Sequence, residues 1–186
     1  MKSFIIYVSL LLSTIVNTSF QFSKNQAANF KAVTIGNKIW MAENFNIQTP
    51  KSWYYERDSV KNHQYGRLYM WSNAMAAPPG WHLPSLDEWT QLINYFGGDS
   101  VAANALLLGG RSGLNLLFCG HRSANITTSE IFDLKDQYGY YWTSTPKTGI
   151  NSDQFAYAIE FRKGVPYVVK NHYRKANGFA VRFVKD

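Results

Sequence analysis

Three consecutive aromatic residues in a polar stretch are the first candidates for a binding surface. Trp53, Tyr54 and Tyr55 stand within residues 46–65, where most neighbours are polar. Aromatic rings exposed to solvent can stack on a sugar or on a partner protein. We therefore predict that residues 46–65 form a long loop and that its three rings are available to a ligand.

A basic stretch further along the chain is the second candidate. Residues 170–175 read Lys-Asn-His-Tyr-Arg-Lys, so an aromatic ring is interleaved with cations. Lys170, Tyr173 and Arg174 could contact an acidic glycan or a phosphate group. A solvated loop between two strands explains the same composition, and both interpretations stay open at this point.

Acidic residues and histidines do not form an assembled catalytic set along the sequence. Asp87 and Glu88 are adjacent, but Ser85 followed by Glu88 is a capping box, which explains acids in the first turn of a helix. A catalytic site would need these acids to converge with His82 or His121 in a cleft. The four histidines show no i, i+4 and no His-x-His pairing, so no metal site is predicted.

The single cysteine and a glycine-rich segment also argue against common enzyme classes. Cys119 has apolar neighbours, which raise the pKa of a thiol and make it a poor nucleophile. Residues 109–113 read Gly-Gly-Arg-Ser-Gly and lack the Lys-Ser/Thr pair that completes a phosphate-binding loop. We therefore predict a protein that is not an enzyme and that carries no cofactor.

The first residues have the composition of a secretory signal. Lys2 precedes an apolar run over residues 4–16. As a helix this run would be roughly 20 Å long, too short for a hydrocarbon core of about 30 Å. That length is typical of the apolar region of a signal peptide. We predict a signal peptide over residues 1–20, a linker over residues 21–31 and no transmembrane segment after the signal.

Charge and cysteine content refine this expectation of export. The net charge of +7 favours anionic partners in general and selects none of them. Only one cysteine is present, so no intrachain disulfide can form. Because this cysteine is residue 119, we expect no lipid anchor on an N-terminal cysteine. The expected product is periplasmic, attached to the cell surface or secreted.

The rest of the chain predicts one α+β domain over residues 32–186. Gly36-Asn37 between two apolar runs predicts a β-hairpin. After the capping box, apolar residues at helical spacing predict a helix that ends at Gly97-Gly98. Further helices are predicted over residues 66–77 and 101–108, and further strands over residues 114–118, 140–144, 155–161 and 179–183.

Six sequence blocks occur in a recognisable order. They are Tyr65-Gly-Arg-Leu-Tyr69-x-Trp71, Pro79-Gly-Trp-His-Leu-Pro-Ser85-x-x-Glu88-Trp89, Gly113-Leu-Asn, Gly120-His-Arg122, Gly139-Tyr-Tyr-Trp-Thr-Ser-Thr145 and Gly178-Phe-Ala-Val-Arg-Phe-Val-Lys-Asp186. In this order they resemble the Fibrobacter succinogenes major paralogous domain family, and the resemblance covers residues 32–186.

The resemblance implies a fold and a setting but no activity. The family is similar to the C-type-lectin-like fold, which implies two helices packed on twisted antiparallel sheets with the chain ends close together. Its members are mostly exported proteins of Bacteroidota and related bacteria, without an established activity. Many relatives carry cysteine pairs where this chain has Tyr54 with Asn62 and Ala77 with Phe183, so packing must replace those links here.

Three functions remain open on the sequence. The preferred one is an exported, non-catalytic binding or adhesion module for a glycan or a cell-surface protein, with no specific nucleic acid as partner. Its contact surface would come from residues 46–65 and residues 162–176. The alternatives are an exported enzyme of unfamiliar type acting on polysaccharide or protein, and a structural component of a surface assembly.

Overall fold

The computed structural model, which describes residues 30–124 and 131–186, shows an α+β fold dominated by β-sheet. The predicted signal peptide over residues 1–20 and most of the predicted linker over residues 21–31 lie outside the described residues. No helix in the described ranges is both long enough and apolar enough to cross a membrane.

Short strands and helices are interspersed up to Leu106, and the described elements after it are strands. The described strands are β1 (Ala32–Ile35), β2 (Lys38–Met41), β3 (Ser52–Trp53), β4 (Leu68–Tyr69), β5 (Trp81–His82), β6 (Cys119–Ser123), β7 (Ile131–Lys135), β8 (Tyr138–Pro146), β9 (Phe155–Arg162), β10 (Val169–Arg174) and β11 (Val184–Lys185). The described α-helices are α1 (Ser59–Asn62), α2 (Trp71–Ala74), α3 (Leu86–Tyr95) and α4 (Ala102–Leu106).

A four-stranded sheet brings distant parts of the chain together in the order β1-β2-β11-β5. β1 and β2 form the predicted hairpin, with Ile35 opposite Lys38. Gly36 supplies the positive φ of 61° at its turn. β11 pairs with both β2 and β5 through Val184, so the first and last strands lie in one sheet.

A five-stranded sheet in the order β10-β9-β8-β6-β7 forms the other large layer. The expectation of wholly antiparallel sheets is wrong here, because β6 and β8 run parallel where Gly120 meets Gly139. A Cβ on Gly139 would lie 2.4 Å from the carbonyl oxygen of Leu117, so only glycine allows this close approach. β3 and β4 form a separate two-stranded sheet.

The longest helix, α3, is fixed by its cap and by its apolar face. The Glu88 amide donates to Ser85 Oγ (3.1 Å), and the Ser85 amide donates to the Glu88 carboxylate (2.8 Å), which confirms the predicted capping box. Gly97-Gly98 ends the helix with positive φ, also as predicted. The shorter predicted helix is confirmed as α4. α3 packs into the core through its buried residues Trp89, Leu92 and Ile93.

Residues 178–184 cross the middle of the domain, and all of them are buried. Alternate side chains enter two different apolar cores: Phe179, Val181 and Phe183 enter one, and Ala180 and Val184 enter the other. The predicted regular strand over residues 179–183 is wrong, because the segment bonds to a succession of partners. Its backbone bonds include those of Gly178 with Arg122, Phe179 with Tyr69, Ala180 with Tyr140 and Val181 with Phe45.

Arg182 lies in this central segment and is only 1% exposed. Its guanidinium donates to Asn44 Oδ1 (2.7 Å) and to the carbonyl oxygens of Met41 (2.9 Å), Leu114 (2.7 Å) and Asn115 (2.9 Å). A buried charge is tolerated when its donors are satisfied in this way. Arg182 therefore joins the central segment to β2 and to the chain around residue 115.

Residues 46–65 are not the irregular loop that the polar composition predicts. They contain β3, α1 and two short 3-10 turns, Tyr55–Arg57 and His63–Tyr65. Asp58 caps α1 by accepting hydrogen bonds from the amides of Val60 and Lys61, both at 3.0 Å. Capping side chains thus give regular structure to a segment with few apolar residues.

Two other segments also differ from their predictions. Residues 66–77 are helical only in α2, because the chain first forms β4. Residues 114–118 form no regular strand; Asn115 has a positive φ of 53°, and Leu116 makes a single bridge to Leu107. Extended pairing begins only at Cys119.

Candidate functional site

Of the predicted catalytic candidates, the structure brings His82 and Glu88 together. His82 Nε2 lies 2.9 Å from Glu88 Oε1, and Lys38 Nζ donates to the same oxygen at 2.8 Å. The other ring nitrogen, Nδ1, lies 2.7 Å from Asp186 Oδ1. Asp87 is exposed on α3 and has no part in this cluster.

The partners of this cluster make it structural. Burial alone would raise the pKa of Glu88, but hydrogen bonds from Lys38, the Ser85 amide and His82 lower it to about 2. Burial alone would lower the pKa of His82, but the carboxylates of Glu88 and Asp186 raise it. Both nitrogens of the ring and both oxygens of Glu88 are engaged inside the protein. The cluster therefore ties α3 to β2, β5 and Asp186.

The other two candidates for chemistry lie in apolar surroundings. Cys119 is fully buried among apolar residues, and burial raises the pKa of its thiol to about 11. Burial also lowers the pKa of His121, whose ring lies edge-on to Tyr140 at 5.2 Å. Within residues 30–124 and 131–186, no group of three His, Cys, Asp or Glu side chains is placed to hold a metal ion.

A pocket of about 520 Å³, here called the arginine pocket, lies at β3 and the neighbouring turn Tyr55–Arg57. A tight turn positions its wall, because the Thr49 amide donates to Ser52 Oγ (2.9 Å) and that hydroxyl donates to the Thr49 carbonyl (3.0 Å). No aspartate or glutamate is among the described residues that line it. These residues are Gln48, Thr49, Pro50, Ser52, Trp53, Tyr54, Arg57 and Arg67.

Arg67 is the buried cation of this pocket, with 8% of its surface exposed. Its Nε donates to Ser52 Oγ and its Nη2 to the Ser52 carbonyl, both at 3.0 Å. Its guanidinium carbon lies 4.5 Å from the centre of the Tyr54 ring. None of the ion pairs in the described part of the chain involves Arg67. The pocket therefore holds a buried positive charge, and none of its described lining residues is a carboxylate.

A second arginine covers the neighbouring ring. The guanidinium carbon of Arg122, on β6, lies 4.0 Å from the centre of the Trp53 ring. Its Nη1 also donates to the carbonyl of Ala176 at 3.2 Å. One face of Trp53 and one face of Tyr54 are thus occupied by guanidinium groups. The two rings act as supports for cations, an attraction worth about 0.5–2 kcal/mol per pair.

Tyr55 does not belong to this surface, which corrects the prediction of three exposed rings. It is 7% exposed and belongs to the larger apolar core. Its ring lies edge-on to Phe132 at 5.5 Å. The chain enters a 3-10 turn at Tyr55, which turns this ring inward while Trp53 and Tyr54 stay half-buried at the pocket.

The basic residues 170–175 are not a loop, because residues 169–174 form β10. Side chains alternate along a strand, so Lys170 and Arg174 project from one face and Tyr173 from the other. The three predicted binding residues therefore do not form one surface.

Each of these three residues has its own partner elsewhere. Lys170 Nζ forms an ion pair with Asp99 at 2.8 Å. The Tyr173 hydroxyl donates to the Glu160 carboxylate. The guanidinium carbon of Arg174 lies 5.7 Å from the centre of the ring of Phe155.

A larger pocket of about 860 Å³ adjoins the arginine pocket. The ring of Tyr54, which lines the arginine pocket, stacks at 6.2 Å on the ring of His63, which lines the larger one. Leu107, Leu116 and Phe118 give it an apolar wall. Its described lining has two acidic residues, Glu43 and Asp136, and two basic ones, Lys163 and Arg182, so neither sign of charge dominates.

Sequence reasoning missed the two arginines that lie on the rings of Tyr54 and Trp53. Arg67 and Arg122 stand in quoted blocks, Tyr65-Gly-Arg-Leu-Tyr69 and Gly120-His-Arg122, but neither was singled out as a ligand-binding residue. The available signal was an arginine enclosed by apolar or small residues, which is unusual for an exposed side chain. Their placement over Tyr54 and Trp53 depends on tertiary contacts.

The comparisons with known proteins are short. No curated protein and no solved structure matches the chain. The model of the Fibrobacter succinogenes major domain matches residues 33–185. That match covers both large sheets, the arginine pocket and the central segment, so the chain belongs to the Fibrobacter succinogenes major domain family.

Proposed function

We propose that this chain is an exported, non-catalytic binding module with a C-type-lectin-like fold, and that it holds an anionic glycan in the arginine pocket. The leader-like composition of residues 1–20 supports export. The fold proposal is supported by α3 and α4 beside curled sheets and by a first and last strand that share one sheet.

The observation that carries the proposal is the unpaired burial of Arg67. A buried charge is costly unless it is paired or fully hydrogen-bonded. The neutral acceptors on Ser52 satisfy two of its donors, and the part of the pocket wall that the structure describes offers no carboxylate. An anionic group on a ligand would complete this environment. A guanidinium suits that role because its planar donors match a carboxylate or a sulfate.

A second arginine strengthens the positive field of the pocket. Arg57 lines the same pocket and has an exposed side chain, whereas Arg67 is buried. The exposed cation can meet the ligand first, and the buried one can fix its orientation. We therefore propose guanidinium groups as the contacting atoms, in place of the open ring faces that the sequence favoured.

The test measures retention of acidic and neutral glycans on the purified protein. Wild type is expected to retain glycans that carry carboxylate or sulfate groups in preference to neutral glycans of the same size. Arg57→Gln and Arg67→Gln are each expected to weaken this binding at least about tenfold, as loss of one charge-assisted contact does. Lys185→Gln removes one exposed charge on β11 and is the matched control, with unchanged binding expected.

The design also separates loss of binding from loss of folding. Arg57 is exposed, so Arg57→Gln tests the pocket even where Arg67→Gln destabilises the fold. Circular dichroism and a thermal melt of each variant identify any unfolded protein. Equal retention of acidic and neutral glycans by wild type, or wild-type affinity in a folded Arg57→Gln variant, would overturn the proposal.

A further inference from the structure

We propose that the ligand is an extended anionic polysaccharide, which passes from the arginine pocket along a row of three cation–aromatic pairs. This inference rests on the proposed function and adds the length and repeat of the ligand. The pairs are Arg67 on Tyr54, Arg122 on Trp53 and Lys175 on Trp71, and we call them the cationic row.

The three pairs have closely similar geometry. The cation lies 4.5 Å from the ring centre in the Tyr54 pair, 4.0 Å in the Trp53 pair and 4.4 Å in the Trp71 pair. All three rings are half-buried. A ring that is fixed in the protein restricts the cation lying on it, so less side-chain entropy is lost when an anion binds.

The pairs are neighbours through one strand pairing and one hydrogen bond from a side chain. Trp53 is opposite Leu68 in the β3–β4 ladder, and Leu68 directly follows Arg67. Arg122 Nη1 donates to the carbonyl of Ala176, the residue after Lys175. These contacts connect the first pair to the second and the second pair to the third.

The two residues of the third pair are also joined by a backbone hydrogen bond. The Trp71 amide donates to the Lys175 carbonyl at 3.1 Å, which holds the ring beside the lysine. Lys175 Nζ donates to the Ser152 carbonyl at 3.2 Å, and no ion pair in the described part of the chain uses it. Lys175 therefore resembles Arg67, since each is positioned by a ring and by a neutral acceptor.

A repeated anion fits this row better than a single one. One carboxylate can engage the cations of the arginine pocket but cannot reach successive pairs. A chain of charged sugars can place one anion at each pair, and linked contacts raise affinity without any new kind of contact. Single-stranded nucleic acid also repeats its charge, but it binds through bases stacked on open aromatic faces. Here one face of each ring is already covered by a cation.

The experiment compares ligands of one chemistry and different length. Binding of galacturonate, a short oligogalacturonate and a long oligogalacturonate to the purified protein is measured by calorimetry, with methyl-esterified oligomers as neutral controls. A second series uses chondroitin sulfate oligomers, which distinguishes sulfate from carboxylate as the source of charge. The long acidic oligomer of at least one series is expected to bind at least about tenfold more tightly than the short one.

A variant at the far end of the row separates the row from the pocket. Lys175→Gln is expected to weaken binding of the long oligomer several-fold and to leave binding of the short oligomer unchanged. Lys185→Gln removes an exposed lysine on β11, which lies outside the row and lines neither pocket, and as the matched control it should change neither.

The outcomes distinguish this inference from the proposed function. Acidic oligomers could bind, with Arg57→Gln weakening that binding, while affinity does not depend on oligomer length. This result would support the proposed pocket and refute the row. If Lys175→Gln weakens short and long oligomers equally, the row also falls. Tighter binding of single-stranded DNA than of any acidic oligomer would overturn the polysaccharide assignment. If no acidic oligomer binds, both the proposed function and the row are refuted.

Discussion

Replacing Arg182 with leucine should remove most of the stability of the domain. The guanidinium of Arg182 satisfies four acceptors at distances of 2.7–2.9 Å, and three of these hydrogen bonds are buried. Three of these acceptors are backbone carbonyls, so no side-chain substitution can remove them together with the arginine. Arg182→Leu therefore leaves them without a partner in an apolar interior.

The size of the effect follows from the number of orphaned groups. An unsatisfied buried acceptor costs about 1–3 kcal/mol. With some relaxation around the site, we expect Arg182→Leu to lower the free energy of unfolding by at least about 4 kcal/mol. A domain typically has only about 5–15 kcal/mol in total, so the variant should be marginally folded or unfolded.

Urea unfolding of the purified protein, followed by tryptophan fluorescence, measures this difference. Lys185→Leu is the matched control, because it removes an exposed cation from the same end of the chain and should change stability by less than about 0.5 kcal/mol. Arg182→Lys keeps the charge but cannot reach four acceptors, so an intermediate loss of about 2 kcal/mol is expected. A folded Arg182→Leu variant within about 1 kcal/mol of wild type would refute the reasoning.

Three further predictions concern the acid–histidine cluster, the cysteine and one glycine. Glu88→Gln should lower stability at pH 7 by about 2 kcal/mol, less than the roughly 3 kcal/mol that its pKa of about 2 implies, because partly exposed partners are screened. Because folding lowers the pKa of Glu88, this contribution to stability is present above pH 4.5 and is lost as the pH falls towards 2. In urea titrations at several pH values, the free energies of unfolding of wild type and variant should therefore converge in acid. Cys119 should not react with a thiol reagent at pH 8 in the native protein and should react fully in denaturant; rapid native labelling would contradict its burial. Gly66→Ala should lower the free energy of unfolding by at least about 2 kcal/mol more than Gly80→Ala. Both glycines have positive φ, but only at Gly66 would a Cβ lie 2.7 Å from the Asn44 Cβ. Equal shifts of the melting temperature would show that the chain adjusts at Gly66 and would contradict this prediction.

Elements with local signals could be predicted from the sequence. The β1–β2 hairpin follows from Gly36-Asn37 between apolar runs, and α3 follows from its capping box and helical spacing. β9 follows from its alternating apolar residues. In each case the residues that decide the structure lie within one turn, one helix or one strand, so nearby sequence contains the information.

Elements that depend on distant partners could not be predicted in the same way. β10 has mostly polar residues because it is the edge strand of its sheet, and this composition also fits a loop. The alternation in residues 179–183 is real, but both faces are buried, so a period of two does not indicate a half-exposed strand.

The candidate site was predicted in part. Trp53 and Tyr54 line the arginine pocket, as the aromatic stretch suggested, whereas Tyr55 enters the core. The cations came from elsewhere in the sequence, because Arg67 and Arg122 reach these rings only through the pairing of β3 with β4 and the position of β6. The composition predicts that the protein has a net positive charge, and the fold determines where the cationic side chains lie.

The central segment, residues 178–184, also sets when the protein can fold. It supplies side chains to both apolar cores and backbone partners to Phe45, Tyr69, Arg122 and Tyr140, so neither core can close until the ribosome has synthesised this segment. Contacts between such distant residues form late, because a long stretch of chain must be brought together first. A growing chain that has not yet reached this segment therefore lacks the partners that close either core, and it stays an open polymer.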